Sequence, residues 1–297
     1  MQLHMMGAAF ALASAFFWGL AVVLFKKSGE VFSPITLNIY KSLVALVGVG
    51  GTMVVLGIPF VPDLPLNHWL MLSLSGFLGI TLADIFFFTA LNKLGAARVA
   101  VVECLYLPMV LVFSFLLLGE RLTPLAVFGG ILVLGAVLVG AFAERGADEN
   151  DTDTVGGVIA GILSMVLLAL GIVIAKQVLD DSDVFWATFV RVAAGVVTLA
   201  GIVALHPRRH QYIKELALSR AWLTALPASV CGNYVALLFW VAGMKYTTAS
   251  RAGILNQMST IFIFIMAAFI LKERITKSKL AAITLALTGA VMTIFSN

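Results

Sequence analysis

ALNKLGAARVAVVECLYLPMVLVFSFLLLGERLT, from Ala90 to Thr123, sets one apolar run between two polar corners. Asn92 to Arg98 interrupts the preceding run, about twenty mostly apolar residues continue to Leu118, and Gly119-Glu120-Arg121 closes them, a length that crosses a bilayer as a helix. Inside it stand Glu103, costly in hydrocarbon, and Pro108, which donates no amide and strips the carbonyl of Cys104 of its partner. Such a span does more than anchor. The string KYTTASRAGILNQMSTIFIFIMAAFILKERIT, Lys245 to Thr276, repeats the plan: Arg251 stands for Arg98, and Glu273-Arg274 with Thr276 for Glu120-Arg121 with Thr123, each pair 153 residues apart.

The surroundings have the same character. With 61% hydrophobic residues, 11% charged and a mean hydropathy of +1.07 over 297 residues, the chain lacks the polar surface of a soluble domain. Ten continuous apolar runs fall at residues 4–26, 33–57, 68–91, 96–118, 122–143, 155–179, 184–206, 221–244, 249–271 and 277–295. They are too long and unbroken for the alternating strands of a β-barrel. The expected fold class is all-α, a polytopic membrane protein with ten transmembrane helices. The net charge of +4 comes largely from basic residues at span ends, where they meet lipid headgroups, so it does not imply nucleic acid. Cys104 and Cys231 lie inside spans and read neither as a disulfide nor as a metal site. Pro207 between His206 and His210 argues against a helical metal pair, and no nucleotide-binding loop is present, so neither a metal, a cofactor nor an ATP-driven pump is expected. The first run has no basic leader and exceeds a signal peptide's apolar core, so it reads as a retained span.

Glu144 to Thr154 is the one strongly polar segment and has the acidic composition of a linker. It divides residues 1–143 from 155–297, five spans each. Ser14 with Ser164, Lys26 with Lys176, and Lys41 with Arg191 are 150 residues apart, whereas later pairs are 153 apart. The long connection His206 to Arg220 is the place where three residues enter. An odd number of spans makes the two copies cross the membrane in opposite senses, and such inverted repeats are the sign of alternating-access transporters with a site between the halves.

The two strings quoted, together with the ten spans in two fives, resemble the drug/metabolite transporter superfamily, in particular its EamA-type branch. The glutamate corner after the fourth span of each repeat, Glu120 and Glu273, is the more specific element; the basic residue of the second span, Lys41 and Arg191, is weaker support. The resemblance implies a basket of ten helices around a central cavity. It also implies movement of small metabolites, commonly outward and sometimes with proton exchange. It names no substrate.

Away from the span ends the ionisable residues are Lys41, Asp84, Glu103 and Arg191, which hydrocarbon forces toward the bundle interior. At 1.5 Å per residue, Lys41, Asp84 and Glu103 each lie roughly 10 to 12 Å from the same membrane face. This places one cation and two acids at one level. Lys41 can neutralise one acid, and the other is the candidate proton carrier, since burial and a neighbouring acid both favour protonation; the alternative is a permanent ion pair. Asp84 and Glu103 correspond to Leu237 and Asn256 in the second repeat, so the halves are chemically unequal. The cavity is expected to be lined by Trp18, Asn38, Lys41, Asp84, Glu103, Tyr106, Arg191, Asn233, Tyr234, Asn256 and Gln257. For Trp18, Trp186 and Trp240 a place in the interfacial belt or core is the competing reading.

These features point to a secondary transporter of small polar or amphipathic metabolites, with an uncoupled facilitator or exchanger as the rival within transport. A non-transporting sensor or assembly partner is the rival outside it. No nucleophile and base pair suggests an enzyme. The expected partners are a small-molecule substrate, the lipid bilayer and, in the coupled form, protons; a monomer suffices. Acids at one end of the cavity and Arg191 with neutral amides at the other would suit a zwitterion. The location expected is a bacterial or archaeal cell membrane, with both termini on one side. Thirteen Lys and Arg lie in the connections facing away from the termini and three on the termini's side, which places the termini outside the cytoplasm.

Overall fold

Ser33-Pro34 shows how these runs become helices. Proline supplies a pre-set φ at the first turn, and the Ser33 side chain accepts from the Thr36 amide, so α2 (Pro34–Leu56) starts with a capped end. It ends at Gly57, whose φ of 69 favours a residue without a Cβ. Asp183 caps α9 in the same way, accepting from the amides of Phe185 and Trp186.

A computed structural model describes residues 2–119, 124–142, 151–179, 181–217, 219–246, 255–256, 258–273 and 276–294. Among them there is no strand. The helices are α1 (Gln2–Ser28), α2, α3 (Leu66–Gly76), α4 (Ala83–Leu94), α5 (Ala96–Glu103), α6 (Tyr106–Leu118), α7 (Pro124–Phe142), α8 (Asp151–Leu179), α9 (Val184–Leu205), α10 (Arg209–Leu216), α11 (Ser219–Ser229), α12 (Ala236–Tyr246), α13 (Met258–Ile270) and α14 (Lys277–Ile294). Among the described residues seven stretches are long and apolar enough to cross a membrane: Met6–Ser28, Pro34–Leu56, Leu66–Leu94, Ala96–Leu118, Asp153–Val178, Val184–Leu205 and Trp222–Trp240. α7, α13 and α14 fall where the fifth, ninth and tenth spans are expected but are not among these seven. The acidic linker is shorter than its composition suggested: Asp151 to Thr154 belong to α8, where the carboxylate of Asp153 in the first turn complements the helix dipole. Residues 143–150 lie outside the described residues.

Two spans are interrupted at matching places. A π-helical turn at Phe77–Leu82 joins α3 to α4, and another at Val230–Val235 joins α11 to α12, again 153 residues apart. Helix pairing repeats as well. α4 packs on α8 as α12 does on α1, α6 on α8 as α13 does on α1, and α3 on α9 as α11 does on α2, while α7 lies along α14. Most packing is therefore between the halves. The outer face is apolar and uncovered, with Val47 75% and Phe269 81% exposed, as lipid contact requires.

α10 is not a span but a short amphipathic helix against the ends of α2 and α9. It is pinned by Glu215, whose Oε2 accepts from the Ser33 amide at 2.9 Å and the Thr36 hydroxyl at 2.6 Å, while Gln211 donates to Oε1 at 2.9 Å. Burial pushes this carboxyl up, but the hydrogen bonds from Thr36, Ser33 and Gln211 outweigh it and hold it below its ordinary value.

Candidate substrate-binding site

The charged groups in the spans do not form the expected triad. Lys41 Nζ meets Asp84 Oδ2 at 2.6 Å, a buried bridge between α2 and α4. Glu103 is engaged elsewhere: Trp18 Nε1 donates to its Oε1 at 3.1 Å, and its Oε2 is buried without a hydrogen-bond partner. Equal depth along helices does not make residues neighbours, because each helix also has a rotation. Glu103 ends α5, and the chain turns at Cys104 and Leu105 before α6 resumes, one turn ahead of Pro108, as the lost amide dictates.

Trp18 thus belongs to the bundle interior, half-buried, with its ring 6.2 Å from Phe87. Trp186 is a core residue, fully buried against Trp69 at 4.9 Å, with Nε1 donating to the Phe60 carbonyl at 3.1 Å. Trp240 is partly buried.

Asn38 is fully buried and its amide is engaged within the bundle. Its Nδ2 donates to the carbonyls of Ile80 at 2.8 Å and Thr81 at 3.1 Å, and its Oδ1 accepts from Ser42 at 3.3 Å. A π turn widens the backbone and frees carbonyls, and a buried carbonyl must find a donor. Asn38 supplies it and so fixes the turn that carries Asp84 to Lys41. This role had no sequence signal beyond a polar residue at i, i+3 from Lys41.

Arg191 stands close enough to Asp84 and Tyr106 to interact electrostatically with both, and its buried Nε has no hydrogen-bond partner. The cation expected at the far end of the cavity is therefore beside the first repeat's acid. The reason is close backbone approach: a Cβ on Gly76 would strike the backbone of Arg191, so α9 lies against α3 with nothing between them. In the second π turn, Asn233 is partly buried, with its Oδ1 enclosed and unpartnered, and Tyr234 shares a 3.1 Å hydrogen bond with Thr52 while its ring covers Gly48. Tyr234 thus packs between halves. Asn256 is helical and partly buried. Gln257, with Glu120, Arg121, Thr123, Arg251 and Arg274, lies outside the described residues.

Among the described residues five buried side-chain atoms have no hydrogen-bond partner: His68 Nε2 and Asn92 Oδ1 near the two ends of Leu66–Leu94, and, deeper in the spans, Glu103 Oε2, Arg191 Nε and Asn233 Oδ1. The last three come from α5, α9 and the second π turn, hence from both halves. Buried polar groups are nearly always satisfied, so the three deeper atoms are candidate contacts for water or a ligand.

Comparison with known proteins agrees with this architecture. The chain matches the EamA-like transporter family over residues 5–141 and again over 155–295. It belongs to that family. A solved structure titled "Crystal structure of protein" aligns with 97% of this chain and 96% of its own, with a TM-score of 0.65 at 18% identity, which shows a shared fold. No curated protein matches the sequence.

Proposed function

We propose that this member of the EamA-like transporter family is a secondary transporter that exports small polar or amphipathic metabolites by alternating access, coupled to protons through Glu103. Its ten spans form two inverted five-helix repeats with the substrate between them. The matching π turns and the recurring helix pairings support the repeat, and the three unpartnered atoms drawn from both halves carry the assignment of the site. Asp84 is paired with Lys41, which leaves Glu103 as the acid without a cation partner among the described span residues, and Arg191, within electrostatic reach of Asp84 and Tyr106, as the cation with a hydrogen-bond donor unused. A zwitterion such as an amino acid fits, with its ammonium on Glu103 Oε2 and Asn233 Oδ1 and its carboxylate on Arg191.

Thermal stabilisation of the purified protein across amino acids, amines and phosphorylated sugars tests this, because a ligand bound only by the folded state raises its stability. A zwitterion is expected to stabilise the wild type and to lose most of that effect in Arg191→Ala, whereas an amine without a carboxylate retains it. Stabilisation by phosphorylated sugars alone would refute the substrate assignment.

A further inference from the structure

Where α4 gives way to α5, the chain is in contact with a residue of the other half. α4 stops at Leu94 and α5 begins at Ala96, so the whole corner is Gly95, at φ 82. No side chain of the corner caps α5, so its first amides need an acceptor from elsewhere. Glu273 supplies it from beyond α13: Ala96 N donates to Oε1 at 2.9 Å and Ala97 N to Oε2 at 3.2 Å. The turn that aims Glu273 has Lys272 at φ 56, a conformation costly for a side-chain-bearing residue, and is closed by Glu273 N donating to Ala267 O at 3.2 Å. Lys26, at the end of α1, donates to the Asn92 carbonyl at 2.8 Å and is within electrostatic reach of Glu273. A Cβ on Gly95 would sit 2.9 Å from Glu273 Oε1, so the corner admits no side chain while the carboxylate is in place.

We propose that the Glu273 carboxylate is a releasable latch: seated on the first amides of α5 it holds this face of the transporter shut, and its departure lets the face open. The inference rests on the transporter reading above. A carboxylate at a helix N-terminus is held by charge-assisted bonds and by the dipole. Because the donors open α5 and the acceptor follows α13, any separation of these two elements breaks these bonds, while the Lys26 to Asn92 bond, which joins α1 to α4, survives. The other bridge described at this face, Lys93 to Asp153 at 2.7 Å, is solvent-exposed and correspondingly weak.

Spin labels at Lys93→Cys and Ile270→Cys, both exposed positions, in a full-length chain with Cys104 and Cys231 replaced by serine, report the separation of the α4/α5 corner from the end of α13. A short distance is expected to dominate with Glu273 present. Glu273→Gln, which loses the charge, and Gly95→Ala, which crowds the seat, should each raise a longer-distance fraction roughly tenfold, the order expected for losing a cap. Unchanged distributions in both monodisperse variants overturn the latch. Loss of folded protein in both also overturns it, by making the contact a fold determinant. The measurement needs no substrate, so failure of the transport assignment would appear separately, as absent ligand stabilisation with the distances still shifting.

Discussion

Asp84 and Glu103 look alike in the sequence and differ in the structure, because one has a cation at 2.6 Å and the other an indole N–H at 3.1 Å. Asp84→Asn strands a buried Lys41 and should destabilise the protein by about 3 to 5 kcal/mol, read as a lowered melting temperature. Adding Lys41→Met should recover most of that loss. Glu103→Gln keeps the acceptor for Trp18 and the shape of the side chain, so the fold should survive while pH-dependent transport in proteoliposomes disappears. If Glu103→Gln transports with the wild-type pH profile, proton coupling through this carboxyl is wrong. That Lys41 pairs with one acid was legible in advance because a charge in hydrocarbon needs a partner and few are available at its depth; that the acid is Asp84 and not Glu103 was not. Nor was the bond from Trp18 to Glu103, since an indole near mid-span fits the core, the belt or the site equally well until helix rotations are known.

Elements show the same division between what composition dictates and what packing decides. Long apolar runs, proline at a first turn and glycine at a last one place the helices. A π turn has no comparable signature, so Asn38 reads as a cavity residue when it in fact holds the turn at Ile80 and Thr81. Asn38→Leu should leave those carbonyls unsatisfied and cost about 1 to 3 kcal/mol in a thermal or denaturant melt. The Glu215 cap on α2 offers a test with a defined pH dependence. Its carboxyl is held below the ordinary value of 4.5, so its stabilising effect is fully present above that value and fades as pH falls through the lower, folded-state value. Glu215→Gln should therefore melt lower than the wild type at pH 7, by about 1 kcal/mol, and the gap should narrow on acidification below the ordinary carboxylate range. A gap of the same size at both pH values would show that the charge contributes nothing.

For the whole molecule, pairing between halves was foreseeable from the repeat, but which charged group meets which was not, because Arg191 reaches Asp84 only through the close passage of α9 along α3 at Gly76. Orientation remains a matter of charge distribution. If ten spans alternate across the membrane, thirteen basic residues fall in connections opposite the termini and three on their side, and a reporter active only in the cytoplasm should be silent when fused after Asn297. The Lys41–Asp84 bridge also bears on how the chain is made. Lys41 leaves the ribosome 43 residues ahead of Asp84, roughly 2 to 9 seconds at ordinary rates of synthesis. During that interval α2 carries an unmatched charge whose insertion costs roughly 2.5 to 3.5 kcal/mol. The second span should therefore linger at the insertion machinery until the third arrives, and the two should enter lipid as a hairpin. A nascent chain arrested before Asp84 should still crosslink to the translocon through α2, and one arrested after α4 should not; Lys41→Leu should erase the difference.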